Sequence, residues 1–195
     1  MTHHLRRYLI LLVGLTLFGL GIALMVQAGL GLGPWDTLAQ GISFRTGLPI
    51  GTVSLLLGLP VLALWALLGE RPGIGTLLNV AWIGPTTNVA LGVLPRPSEL
   101  GIQALFMVLG VVVVGLGSGS YLSARLGAGP RDGLMMGLSR KTGWTIRVTR
   151  TLIELSVLAL GWQLGGTVGV GTLAFAFGIG PVVQFALKLW GHRLR

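Results

Sequence analysis

Cysteine is absent from the 195 residues, so no disulfide, thiolate metal site, iron–sulfur cluster or cysteine nucleophile is available. The three histidines are His3, His4 and His192, all near the ends, which leaves the interior without an imidazole for metal or acid–base work. Charge is scarce at 10% of residues, against roughly 25% in an ordinary soluble domain. The five acidic residues are scattered, and no Ser–His pairing is available, so an enzyme is not expected. The one acid–base constellation left is a carboxylate–arginine site at Asp132, Arg131 and Arg150. The glycine-rich GAGPRDG (127–133) lacks the GK[ST] ending of a phosphate-binding P-loop. No cofactor is expected. The net charge of +9 comes without basic–aromatic interleaving, which argues against nucleic acid as a partner.

What the chain does have is apolar length. Hydrophobic residues make up 52%, mean hydropathy is +0.83, and 33 residues are glycine. Charge is confined to short clusters, so uncharged runs reach the roughly 20 residues needed to cross a bilayer. Small residues let transmembrane helices approach closely. The expectation is an all-α membrane protein. The start, MTHHLRRYLILLVGLTLFG, is similar to a signal peptide but ends in no clean small-x-small site. It also has a counterpart later in the chain, so it is read as retained.

That counterpart belongs to an internal repeat. Residues 14–91 align with 110–187 at a constant offset of 96, with about 32 of 78 pairs identical. LGLGPWDTLAQGIS (30–43) matches LGAGPRDGLMMGLS (126–139), and GIGTLLNVAWIGP (73–85) matches GVGTLAFAFGIGP (169–181). Six spans are predicted, at about 8–29, 48–68, 74–94, 101–124, 147–164 and 168–189, with the glycine cluster 165–171 as the last hairpin. Repeat one covers about 8–95 and repeat two about 104–191, within a single membrane domain. A unit of three crossings leaves the chain on the opposite side, so the second unit is inserted upside down. With both termini inside, 12 of the 14 basic residues fall on cytoplasmic segments, as the positive-inside rule requires. The expected architecture is two inverted-topology three-helix repeats with N- and C-termini in the cytoplasm.

In each G-x-G-P-x-D segment the proline suits a first helical position and the aspartate a first turn. A short helix should follow, over 35–45 and 131–141, too short to cross and therefore interfacial or re-entrant. Ile-Gly-Pro (83–85 and 179–181) puts Gly84, Pro85, Gly180 and Pro181 inside the third and sixth spans. Matched interruptions there point to a transporter binding site.

These segments, and a six-span length near 200 residues, resemble the YczE-like membrane proteins of bacteria and, more distantly, the YitT-type proteins. The resemblance covers nearly the whole chain. It implies a six-helix protein of the bacterial plasma membrane and carries no substrate.

The candidate residues follow from polarity inside apolar spans. Asp36 and Asp132 are the acidic pair related by the repeat. They stand either at the two mouths of a pathway or simply at helix starts favoured by the macrodipole. Glu154 has Arg150 four residues earlier on the same helix face, as a substrate- or proton-binding carboxylate or as a structural ion pair. The repeat counterparts of these two are Gly58 and Ser54. Asn79, Asn88, Gln184 and Trp82 lie in the third and sixth spans, as midplane substrate contacts or as hydrogen-bonding glue between helices. Trp35 reads as an interfacial anchor, and the basic cluster from Arg125 to Arg150 as cytoplasmic anchoring. The leading expectation is a small secondary transporter of a small, amphipathic or anionic molecule, working by alternating access. The alternatives are a substrate-binding subunit of a larger transport complex and an accessory or scaffold protein for a biosynthetic enzyme. The lipid bilayer is the one partner expected outright; at about 90 residues per unit, a homodimer also fits.

Overall fold

A computed structural model describes residues 3–190; His192, and Arg193 and Arg195 among the basic residues counted as cytoplasmic, lie outside the described residues. Eight α-helices and no strands are present among them. They are α1 (His3–Ala28), α2 (Pro34–Thr46), α3 (Ile50–Leu68), α4 (Ile74–Val93), α5 (Leu100–Ser123), α6 (Pro130–Thr142), α7 (Ile146–Gln163) and α8 (Val170–Leu189). Four of them, α1, α3, α5 and α8, are long and apolar enough to cross a membrane. The helix α4 equals α8 in length but carries more polar side chains. The helix α7 carries Arg147, Arg150 and Glu154.

Helix boundaries repeat with the sequence. The helices α2 and α6 both begin at the proline of GPxD, run 13 residues and end on a left-handed glycine, Gly47 or Gly143. Glycine suits that cap because it lacks the Cβ that crowds the conformation. Even the turn side chains recur: Ser43 Oγ donates to the Leu48 carbonyl and Ser139 Oγ to that of Trp144, both at 2.6 Å.

Glycine sets the central contact between α1 and α5. A Cβ on Gly14 would lie 2.6 Å from Tyr121 N and 2.8 Å from the Gly117 carbonyl oxygen. One on Gly21 would lie 2.6 Å from Val114 N and 2.8 Å from the Gly110 oxygen. The earlier residue of α1 meets the later residue of α5, so these two equivalent helices run antiparallel. Leu11, Leu15, Ile22, Met25, Met107, Val111, Val114 and Tyr121 form the core along this seam. Without a hydrophobic drive between helices in lipid, close van der Waals contact at such glycines is what holds them together.

The halves also interlock at their helix starts. Gly75 N at the start of α4 donates to the Leu126 carbonyl, and Gly171 N at the start of α8 donates to the Leu30 carbonyl, each at 2.8 Å. Thr76 Oγ1 adds a 2.7 Å bond to the Ala128 carbonyl. Gly31 and Gly127 take φ of +116° and +137° at these crossings, with Gly169 N and Thr76 Oγ1 where a Cβ would stand. Each short helix then packs on the other half: α2 on α7, and α6 on α3.

The interruptions expected at Gly84–Pro85 and Gly180–Pro181 are absent: α4 and α8 run through them unbroken. Both prolines lie exposed on their helices, so neither ring meets a neighbouring helix, and only one backbone bond per helix is lost. The threonines after Pro85 back-bond to the helix, Thr86 to the Trp82 carbonyl at 2.8 Å and Thr87 to that of Ile83 at 2.9 Å. Gly84 has a different use, as the point where α4 meets Gly51 of α3 backbone to backbone.

Candidate functional site

The two GPxD segments come together. Gly33, Pro34, Trp35 and Asp36 line one wall of a central cavity of about 210 Å³, and Gly129, Pro130, Arg131 and Asp132 line the wall facing it. The starts of α2 and α6, with the positive ends of their dipoles, therefore meet inside the molecule. Of the two readings of Asp36 and Asp132, helix starts and separate pathway mouths, the first-turn positions fit the former. The two share one chamber rather than two mouths, because each short helix turns inward to dock on the opposite half.

Most of the remaining lining also comes in repeat-related pairs: Phe18 and Val114, Ile22 and Ser118, Ser54 and Arg150, Gly58 and Glu154, Asn79 and Phe175, Ile83 and Ile179. The shell is symmetric in position and asymmetric in chemistry. Arg131, Arg150 and Glu154 all belong to the second half, opposite Trp35, Ser54 and Gly58 in the first.

Charge inside the chamber is paired. Arg131 Nη2 lies 3.4 Å from Asp36 Oδ1, joining the halves, and the Arg131 guanidinium stands 5.2 Å from the Trp35 ring centroid. Asp36 is 4% exposed, a depth at which a carboxylate needs a partner. Asp132 Oδ2 accepts from the Tyr121 hydroxyl at 3.1 Å. Arg150 Nε donates to Glu154 Oε1 at 2.9 Å, along one helix face. Exposure falls from Arg150, with 54% of its side chain accessible, through Arg131 at 34%, to Asp36. Arg150 and Glu154 thus stand toward the mouth and Asp36 at the floor.

Five expected site residues reach this chamber: Asp36, Asp132, Arg150, Glu154 and Asn79. Three do not. Asn88 ties α4 to α3, accepting from Gly51 N at 2.8 Å and donating to Thr52 Oγ1 at 3.2 Å. Trp82 donates to Thr16 Oγ1 of α1 at 3.0 Å and is otherwise largely exposed. Gln184 is exposed on α8. Pro85, Pro181 and Gly180 do not line the chamber, whereas Gly84 does. Trp35 is no interfacial anchor: it is 9% exposed, and its indole N–H has no acceptor among the described residues. Tyr121 was not singled out by the sequence reading, and Arg131 was named only beside Asp132 and Arg150 as an acid–base grouping, not as the partner of Asp36. The available signal was positional, since Arg131 is the repeat counterpart of Trp35 and adjoins the recurring aspartate.

Comparison with known proteins places the chain in a family. Residues 5–188 match the model of a Family of unknown function (DUF6198). The chain belongs to this family. The matched stretch of this DUF6198 member contains both GPxD segments and every residue lining the chamber. An uncharacterized protein of Haemophilus influenzae is 43% identical over 180 residues, covering 92% of this chain and 83% of the relative. The uncharacterized membrane protein YczE of Bacillus subtilis is 36% identical over 183 residues, covering 93% and 85%. YyaS, another uncharacterized protein of Bacillus subtilis, is 30% identical over 171 residues, covering 86% and 85%. No solved structure matches. The resemblance to YczE-like proteins therefore holds, and this DUF6198 chain is a membrane protein.

Proposed function

We propose that the chain is a small secondary transporter working by alternating access, built from two three-span repeats inserted in opposite directions. In this reading all six longer helices cross the bacterial plasma membrane and both termini are cytoplasmic. The observation that carries it is the chamber between the halves, lined at equivalent positions by both and holding ionisable groups otherwise costly at membrane depth. The antiparallel course of the equivalent helices α1 and α5 supports the inversion, and two half-length helices starting at a shared midplane site are a recurring transporter device. Rocking one half against the other would expose the chamber to each side in turn. Asp36–Arg131 is the contact such a motion must break or re-form.

Proteoliposomes holding the purified chain and an internal pH dye, challenged with a panel of small organic anions and cations, test the proposal. Substrate-dependent flux is expected, reduced at least tenfold by Glu154→Gln and by Asp132→Asn. If no compound in the panel moves faster than through empty liposomes, the transporter reading fails. If flux occurs but both variants match the unaltered chain, the site assignment fails. Flux with this chain alone also removes any need for a larger complex.

A further inference from the structure

The two halves are not packed alike. In the first, α3 lies on α4, with Gly51 against Gly84 and Asn88 bonded to the start of α3. In the second, α7 and α8 barely touch. Arg147 replaces Gly51, a Cβ on Gly180 would meet nothing within 4 Å, and Gln184, the counterpart of Asn88, is exposed. The gap so left gives onto the chamber, because Arg150 and Glu154 of α7 and Phe175, Ile179 and Val183 of α8 all line it.

Hydrogen-bonding capacity in the chamber is only partly used. Each carboxylate already has a donor: Asp36 has Arg131, Glu154 has Arg150 and Asp132 has Tyr121. A guanidinium offers five N–H groups, and Arg131 and Arg150 each use one on these partners. The indole N–H of Trp35 is buried without an acceptor, and neither α2 nor α6 has a side-chain cap on its first-turn N–H groups. Donors are thus left over on both guanidiniums, the Trp35 indole and the two helix starts, beside the second oxygens of the three carboxylates, and the wall on the α8 side is apolar.

We propose that the gap between α7 and α8 admits an anionic amphiphile. Its carboxylate or phosphate is held between Arg150 and Arg131, and its apolar body lies along Phe175, Ile179 and Val183. The two guanidiniums supply charge-assisted, two-pronged bonds that fit either headgroup. This names the substrate class of the transporter; it depends on the transporter reading for translocation and not for binding.

Equilibrium binding to the full chain in dodecyl maltoside tests it, with laurate and dodecyl phosphate as probes. Acetate and inorganic phosphate serve as soluble competitors, and dodecyltrimethylammonium as the cationic control. Saturable binding of laurate or dodecyl phosphate is expected, weakened at least tenfold by Arg150→Gln and by Arg131→Gln and unchanged by Arg45→Gln at the far end of α2. Arg150→Gln keeps the test clean if Arg131→Gln fails to fold, since Arg150 is the more exposed. Gly180→Leu, which fills the gap, should slow association of the probe. Equal binding of the cation, or no saturable binding of either anion, overturns the proposal. Displacement by acetate or inorganic phosphate at the concentrations where the amphiphiles bind assigns the site to a soluble anion and overturns the amphiphile. Binding without flux would count against the transporter reading alone. Flux of another compound without such binding would count against this proposal alone.

Discussion

Asp36 and Arg131 form the ion pair whose removal should be felt most. Arg131→Gln leaves a carboxylate that is 4% exposed without its cation, and breaking a buried pair costs about 3–5 kcal/mol. The cost should sit at the lower end, because Arg131 keeps a third of its side chain accessible. The double variant Asp36→Asn with Arg131→Gln should recover at least half of it, read as the unfolding midpoint in mixed micelles across the four-member cycle. Additive losses would show that the two side chains do not interact. Glu154→Gln should behave differently, since an exposed pair one turn apart is worth only about 0.3–0.5 kcal/mol, and its midpoint should barely move. At this scale the carboxylates, Arg150 and Asn79 were legible because polarity is rare in an apolar chain and expensive there. Trp35 and Tyr121 were not, since an aromatic in such a chain is ordinarily an anchor or core, and only the fold turns these two inward.

Among the helices, backbone proximity rather than propensity carries the joints. Gly31→Ala and Gly127→Ala should each lower the yield of monodisperse protein. Their φ values lie in a region nearly reserved for glycine, worth about 1–3 kcal/mol, and the added methyl would press on the start of α8 or α4. Gly29→Asn is the control. It has a left-handed φ of +67° that asparagine tolerates, with nothing within 4 Å of its Cβ position. Equal losses for Gly29→Asn and Gly31→Ala, read by size-exclusion profile, would refute the account of the interlock. The GxGT and LGxG matches between repeats were visible as sequence identity, but their use was not. One copy of each meets the other copy's partner across the molecule, a pairing no local pattern encodes. The prolines err the other way. Pro85 and Pro181 read locally as breaks, yet α4 and α8 run through them, because each exposed ring costs its helix only one backbone bond.

For the whole molecule, the absence of native cysteine makes topology directly measurable. Thr46 and Thr142 end equivalent short helices and are exposed. In the proposed arrangement, a membrane-impermeant maleimide added to intact cells should label Thr46→Cys, and should label Thr142→Cys only after permeabilisation. Labelling of both from one side would sink the inverted arrangement. Arg147→Cys paired with Gly180→Cys should resist a short cross-linker, whereas Gly51→Cys with Gly84→Cys should close readily if it folds. Efficient closure of the first pair would mean that the gap between α7 and α8 is not the resting arrangement.

By itself the sequence determined composition-driven matters: a helical membrane protein, its helix boundaries and the duplication. Hydrophobic length, glycine and proline caps, and identity at a fixed offset are local quantities that any stretch of chain carries with it. Tertiary structure alone decided that Asp36 and Asp132 share a chamber, that Arg131 spans the halves to reach Asp36, and that α7 stands away from α8. Those facts depend on how two nearly equivalent units dock, and docking turns on single substitutions such as Arg147 for Gly51 and Arg131 for Trp35. Read along the chain, such differences are minor asymmetries between the repeats. Across the interface, they decide where charge and open space lie.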